Sequence, residues 1–222
     1  MKNKSSQFIY LAFLTLIAAI LGVGFAAFNS SLRITNNASV TPDLSDFSVS
    51  FTNTEGMVDD NTNVVPTNSS NLMTSTNGVI NNSYNNGPSL SGISTNFTAP
   101  GQYVTYSLYV YNNGEYDAYL TDLIYSNVSN QNSNKICTPG SDSNNVLTND
   151  TYVALACNGI SINVYVDDVL IQPGELANTH ILAKGDSEEV TIVIDYASGS
   201  QVADGPFSVS FGDISLIYST VN

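Results

Sequence analysis

From Tyr103 to Tyr111 the side chains alternate, with Val104, Tyr106, Leu108 and Val110 on one face and Tyr103, Tyr109 and Tyr111 on the other. A period of two belongs to a β-strand with one face buried, because successive Cβ atoms point to opposite sides. The same rhythm returns in Glu189–Tyr196, where Val190, Ile192, Ile194 and Tyr196 share a face. A chain built from such segments buries its apolar faces by laying one sheet on another, so the expected fold is all-β. We expect a single jelly-roll-like or Ig-like β-sandwich.

Shorter segments follow the same logic. Asp46–Thr52 places Phe47, Val49 and Phe51 on one face, with Ser48 and Ser50 opposite. Ile160–Val166 and Val169–Gln172 form a hairpin around Asp167-Asp168, and Phe207–Phe211 and Ile214–Tyr218 read as closing strands. Asn112-Asn113-Gly114-Glu115 is a hairpin-type turn signal ahead of an apolar return over Ala118–Val128 through Leu120, Leu123 and Tyr125. Ala99-Pro100-Gly101-Gln102 and Leu182-Ala183-Lys184-Gly185-Asp186 are further turns. The first and last of these strand entrances echo each other in a turn followed by Val-Thr, at Val104-Thr105 and Val190-Thr191. Residues 53–100 are mainly Asn, Ser, Thr and Gly, and read as long polar loops, with Leu72-Met73 and Val79-Ile80 as edge-strand candidates. No segment after the signal reads as a helix.

The N-terminus sets the compartment. Lys2 and Lys4 precede an apolar run from Phe8 to Val23, and small residues follow at Gly22, Gly24, Ala26 and Ala27. This is the layout of a secretory signal cleaved between Ala26 and Ala27, which divides the chain into a signal (1–26), an extended arm (27–41) and a sandwich domain (42–222). Phe8–Phe28 also has the length of a membrane-spanning helix, so an uncleaved anchor is the competing reading and the one route to a membrane. Either way the domain lies outside the cytoplasm, secreted or at the cell surface.

Charge excludes several partners. The formal net charge is -14, and beyond the signal only Arg33, Lys135 and Lys184 are positive. Such a surface repels nucleic-acid backbones and anionic membranes alike. Cys137 and Cys157 are the only cysteines. In a secreted chain they read as one disulfide, with two buried thiols as the alternative. Seven Asn-x-Ser/Thr sequons occur, at Asn29, Asn37, Asn68, Asn81, Asn96, Asn127 and Asn149, as a chain rich in these residues produces by chance.

Catalytic constellations are missing from the sequence. His180 is the only histidine, and no nucleophile elbow or phosphate-binding loop is present. Asp59-Asp60 and Asp167-Asp168 offer oxygen ligands for calcium without the spacing of a calcium loop, and Asp167-Asp168 reads more simply as a hairpin tip. No cofactor or resident metal is expected. Of the thirteen tyrosines, Tyr106 and Tyr196 alternate with apolar neighbours and belong to the core, while Tyr103, Tyr109 and Tyr111 form an outer stripe that suits a subunit contact or packing under a loop, with glycan stacking a third reading.

The junction Ala26-Ala27-Phe28-Asn29, together with Ala99-Pro100-Gly101-Gln102, a strand, Asn112-Asn113-Gly114 and a second strand, resembles the TasA/camelysin family of secreted bacterial matrix and surface proteins, which carry a SipW-type signal peptide. The resemblance implies a jelly-roll subunit of extracellular filaments, in which the segment behind the signal completes the sheet of the next copy. Residues 27–40 suit that role: Phe28, Leu32, Ile34 and Val40 are the apolar arm residues that would enter a neighbour. The metalloprotease activity that camelysin-type names suggest is not carried over, because the ligands are lacking here. The expected function is therefore a non-enzymatic structural subunit of a biofilm matrix that associates with itself and with other matrix or cell-surface components. The alternative is a monomeric adhesin that binds through loops between Asn53 and Asn96.

Overall fold

The computed structural model describes residues 47–70, 73–83, 87–128, 132–174 and 181–220. The signal, the Ala26–Ala27 junction, the arm residues Phe28, Leu32, Ile34 and Val40, and His180 lie outside the described residues. In chain order the strands are β1 (Val49–Thr52), β2 (Asn63–Val64), β3 (Pro66–Ser69), β4 (Thr74–Ser75), β5 (Gly78–Ser83), β6 (Gly87–Ser91), β7 (Ser94–Phe97), β8 (Tyr103–Asn112), β9 (Ala118–Tyr125) and β10 (Lys135–Pro139). Helix α1 (Asp150–Cys157) follows, then β11 (Ile160–Val166), β12 (Val169–Ile171), β13 (Ile181–Leu182), β14 (Ser187–Tyr196), β15 (Phe207–Phe211) and β16 (Ile214–Thr220).

The fold is an all-β sandwich of antiparallel sheets. One layer runs β1-β8-β14-β11-β12, with β3 also paired to β8. Its long strands β8 and β14 are the two alternating segments, and they lie side by side with Tyr106 opposite Ile192 and Val104 opposite Ile194. The sequence echo thus reflects two neighbouring strands. The other layer contains β13-β9-β16-β6-β5-β2 and β10-β15-β7-β4. The pairing of β16 with β6 resumes as β15 with β7 beyond the breaks at Gly92-Ile93 and Gly212-Asp213, so the two sheets form one interrupted layer. Gly212 is required at its break, because a Cβ there would lie 1.9 Å from the Ser126 carbonyl oxygen.

The interior faces meet as the alternation requires. Tyr196 from the first layer packs edge-on against Phe97 and Phe207 from the second, with ring centroids 5.8 and 5.7 Å apart. All three are at most 1 % exposed, so each contributes about 2–3 kcal/mol of apolar burial.

Four expectations are corrected. Residues 53–100 are not chiefly loop: they supply β2 to β7, and Val79-Ile80 sits in β5, between β6 and β2, rather than at an edge. These strands are polar because side-chain hydrogen bonds support them. Asn82 clamps Phe51 in the manner of a neighbouring strand, accepting from its N–H at 2.7 Å and donating to its carbonyl at 2.9 Å. Asn112–Glu115 is a crossover rather than a hairpin, since β8 and β9 belong to different layers. Asn112 is fully buried there and donates to the carbonyls of Tyr116 and Leu182 while accepting from Gly114 N–H. Ser50, expected opposite the core face, is only 7 % exposed, because β1 is covered on both sides.

The fourth correction is helix α1. Asn149 caps it by accepting from Thr151 N–H at 2.9 Å, Asp150 lies in the first turn, and Val153 and Ala156 face the core. Two buried residues in eight leave too little periodicity for the helix to stand out in sequence.

Candidate functional site

Each sequence-derived residue has a definite local role. Cys137 in β10 is bonded to Cys157 at the end of α1, with Cα atoms 6.0 Å apart, so the disulfide staples the helix to the sandwich. Asp59 organises the loop behind β1. One carboxylate oxygen accepts from Thr54 Oγ1 at 3.0 Å, and the other from Asn61 N–H at 2.9 Å. Asp60 is exposed beside it. Asp167 and Asp168 form the tip of the β11–β12 hairpin with φ of 46° and 65°, the left-handed pair that a tight hairpin turn needs. Asp167 Oδ1 accepts from Glu189 N–H at 2.9 Å. Among the described residues no three His, Cys, Asp or Glu side chains converge on a metal position.

The tyrosine stripe is half covered. Strand β3 lies against β8, and Asn68 Nδ2 donates to the Tyr103 hydroxyl at 3.2 Å. Tyr109 and Tyr111 are half-buried. Both lysines described are engaged. Lys135 Nζ donates to the Ile160 carbonyl, and burial pulls its pKa below the usual lysine value. Lys184 pairs with Glu115.

The outer margin of β11 is only partly covered by a neighbouring strand. Strand β11 is paired along its whole length with β14, but β12 covers its outer side only at Val164–Val166. Among the described residues, Ile160–Asn163 therefore has no strand on that side. The short β12 beside it exposes Val169 and Leu170. An edge of this kind is a template for another strand.

One buried group was missed in the sequence. Glu188 in β14 points inward, in step with Val190, Ile192, Ile194 and Tyr196, and is 9 % exposed. Tyr218 in β16 of the opposite layer is 7 % exposed. Neither Oε2 of Glu188 nor the Tyr218 hydroxyl has a hydrogen bond of full geometry, but the two groups lie close enough for the hydroxyl to act on the carboxyl. Burial, reinforced by the charge of Asp167, pushes the Glu188 carboxyl up to about 7, while the Tyr218 hydroxyl opposes the shift. Burial, and then the charges of Glu188 and Asp167, hold Tyr218 well above the ordinary phenol range. The signal was present in sequence, since Glu188 extends the even-numbered inward register of β14 by one step.

In comparisons with known proteins, no family model, no curated protein and no solved structure matches this chain.

Proposed function

We propose that this chain is a secreted structural subunit of an extracellular filament or matrix, assembling head-to-tail as residues 27–41 of one copy add a strand to the next. The observation that carries this reading is that, among the described residues, no strand pairs with the outer side of β11 at Ile160–Asn163, where the Ile160 carbonyl is met only by Lys135 Nζ, while β12 further along exposes Val169 and Leu170. A strand added there gains backbone hydrogen bonds, and its alternate side chains gain apolar contact. Phe28, Leu32, Ile34 and Val40 give the arm apolar side chains to place. A head-to-tail contact that does not close on itself grows into a fibre. The adhesin reading has less support, because the stretch it assigned to binding loops is occupied by β2 to β7.

Negative-stain electron microscopy of the chain beginning at Ala27 tests the proposal, beside the double variant Leu32→Asp/Ile34→Asp and the edge variant Leu170→Lys. Fibres from the unmodified chain, and isolated particles from the arm variant with an unchanged circular-dichroism spectrum, are expected. Leu170→Lys is expected to shorten or abolish the fibres. Isolated particles from the unmodified chain, or fibres indifferent to the arm, would overturn it.

A further inference from the structure

A second margin of the sandwich carries a different chemistry. Strand β13 covers the outer side of β9 only at Ala118–Tyr119. Beyond that point lies an open groove of about 690 Å³, lined by Asp122, Ile124 and Tyr125 of β9, by Asn127, and by Asn132 and Asn134 of the loop before β10.

The lining is defined by unused hydrogen-bonding capacity. The side-chain amides of Asn127, Asn132 and Asn134 make no hydrogen bonds among the described residues, and neither does the half-buried Tyr125 hydroxyl. Asp122 Oδ1 accepts from Leu123 N–H at 2.8 Å and from Gly174 N–H at 3.3 Å, which fixes the carboxylate and leaves Oδ2 available. The site therefore offers three amides able to donate and accept, a phenol and one carboxylate oxygen. Burial pushes the Tyr125 phenol up to about 12, so it stays neutral near pH 7. The ring of Tyr125 and the exposed side chain of Ile124 add an apolar strip beside these polar groups.

This set discriminates among ligand classes. Among the described residues no cation lines the groove, and the protein is strongly acidic, so phosphates, sulfates and uronic acids are repelled. One carboxylate is too few hard oxygen ligands for a divalent cation. A purely apolar ligand would strand the amides without partners. A neutral saccharide fits what remains. Its vicinal hydroxyls match planar amide and carboxylate groups, and its C–H face matches an aromatic ring. We propose that the groove beside β9 is a binding site for neutral oligosaccharides. Pro173 and Gly174, which continue the chain from β12, also line the groove, so it adjoins the β11 margin, and the test therefore reads saccharide binding and filament assembly on separate variants.

The test is titration of the Leu32→Asp/Ile34→Asp variant of the chain beginning at Ala27, which is expected to stay as isolated particles, with maltohexaose, cellohexaose, chitohexaose, mannohexaose and, as an acidic comparison, heparin, followed by calorimetry and by chemical shifts of ¹⁵N-labelled protein. Binding of at least one of them is expected, with Kd on the order of 0.1–1 mM and shifts centred on residues 122–134. Asn132→Ala and Asn134→Ala remove side chains with no structural hydrogen bonds, so the fold is retained. Each is expected to weaken binding about fivefold, and the two together about 20-fold. Introduced into the chain with its arm intact, both substitutions should leave filament formation unchanged. No binding of any of the four at about 10 mM, binding that survives the double substitution, or preferential binding of heparin would each overturn the proposal.

Discussion

Glu188 in β14 and Tyr218 in β16 face the interior from opposite layers of the sandwich, where Glu188 Oε2 and the Tyr218 hydroxyl act on each other without a hydrogen bond of full geometry to any group. No cation is among the groups that shift the Glu188 carboxyl; Asp167, the charge that acts on it, is repulsive. Ionising Glu188 in the folded protein is therefore unfavourable, and stability becomes tied to pH.

The sign follows from the direction of the shift. The folded carboxyl titrates at about 7 against 4.5 for the ordinary side chain. The native state therefore holds its proton where the unfolded chain has lost it. Stability associated with this group is fully present below pH 4.5 and is lost as pH rises through about 7. Glu188→Gln is expected to leave stability unchanged near pH 4.5 and to raise it by about 1–3 kcal/mol at pH 8, read from denaturant unfolding at both values. Equal effects at the two pH values would refute the assignment.

Tyr218→Phe provides an independent check on the same pair. The Tyr218 hydroxyl lowers the carboxyl it faces, so removing it moves the midpoint of the pH–stability curve upward. A midpoint unchanged in the variant would mean that the hydroxyl does not act on Glu188.

Replacing both Cys137 and Cys157 with serine frees a loop closed by a sequence separation of 20 residues. In the chain-entropy account this costs about 3 kcal/mol. Calorimetry should show a lower Tm under oxidising conditions, and reductant should lower the Tm of the unmodified protein to a similar extent.

Asn112→Ala leaves the buried carbonyls of Tyr116 and Leu182 without their donor and Gly114 N–H without its acceptor. A loss of about 3 kcal/mol is expected, more than a surface Asn→Ala change would produce. Hydrogen exchange should quicken at the crossover between β8 and β9.

Asp168→Gly relieves a left-handed backbone at φ of 65° without touching the hydrogen bonds of Asp167. A gain of about 0.5–1 kcal/mol is expected from equilibrium unfolding if the pair serves as a hairpin tip.

Much of the fold was legible because alternation reports burial directly. β8, β11, β14 and β15 begin and end close to where the period of two begins and ends, and Tyr106 and Tyr196 are core residues for the same reason. Of β2 to β7 only the Val79-Ile80 segment of β5 was legible as a strand; the rest carry no apolar rhythm because amide and hydroxyl side chains support this region laterally, as Asn82 does for Phe51. Helix α1 was hidden because a disulfide and two buried residues hold it rather than an amphipathic stripe.

Sequence alone determined which faces are buried, that the fold is all-β, and which cysteines pair, since side-chain period and cysteine count are local facts. Tertiary structure decided which strands are neighbours, because turn residues cannot say whether the chain folds back within a layer or crosses to the other, as it does after Asn112. It also decided what Glu188 faces. A buried carboxyl acquires its character from the groups opposite it, and Tyr218 arrives there from thirty residues further along the chain only because the two layers close.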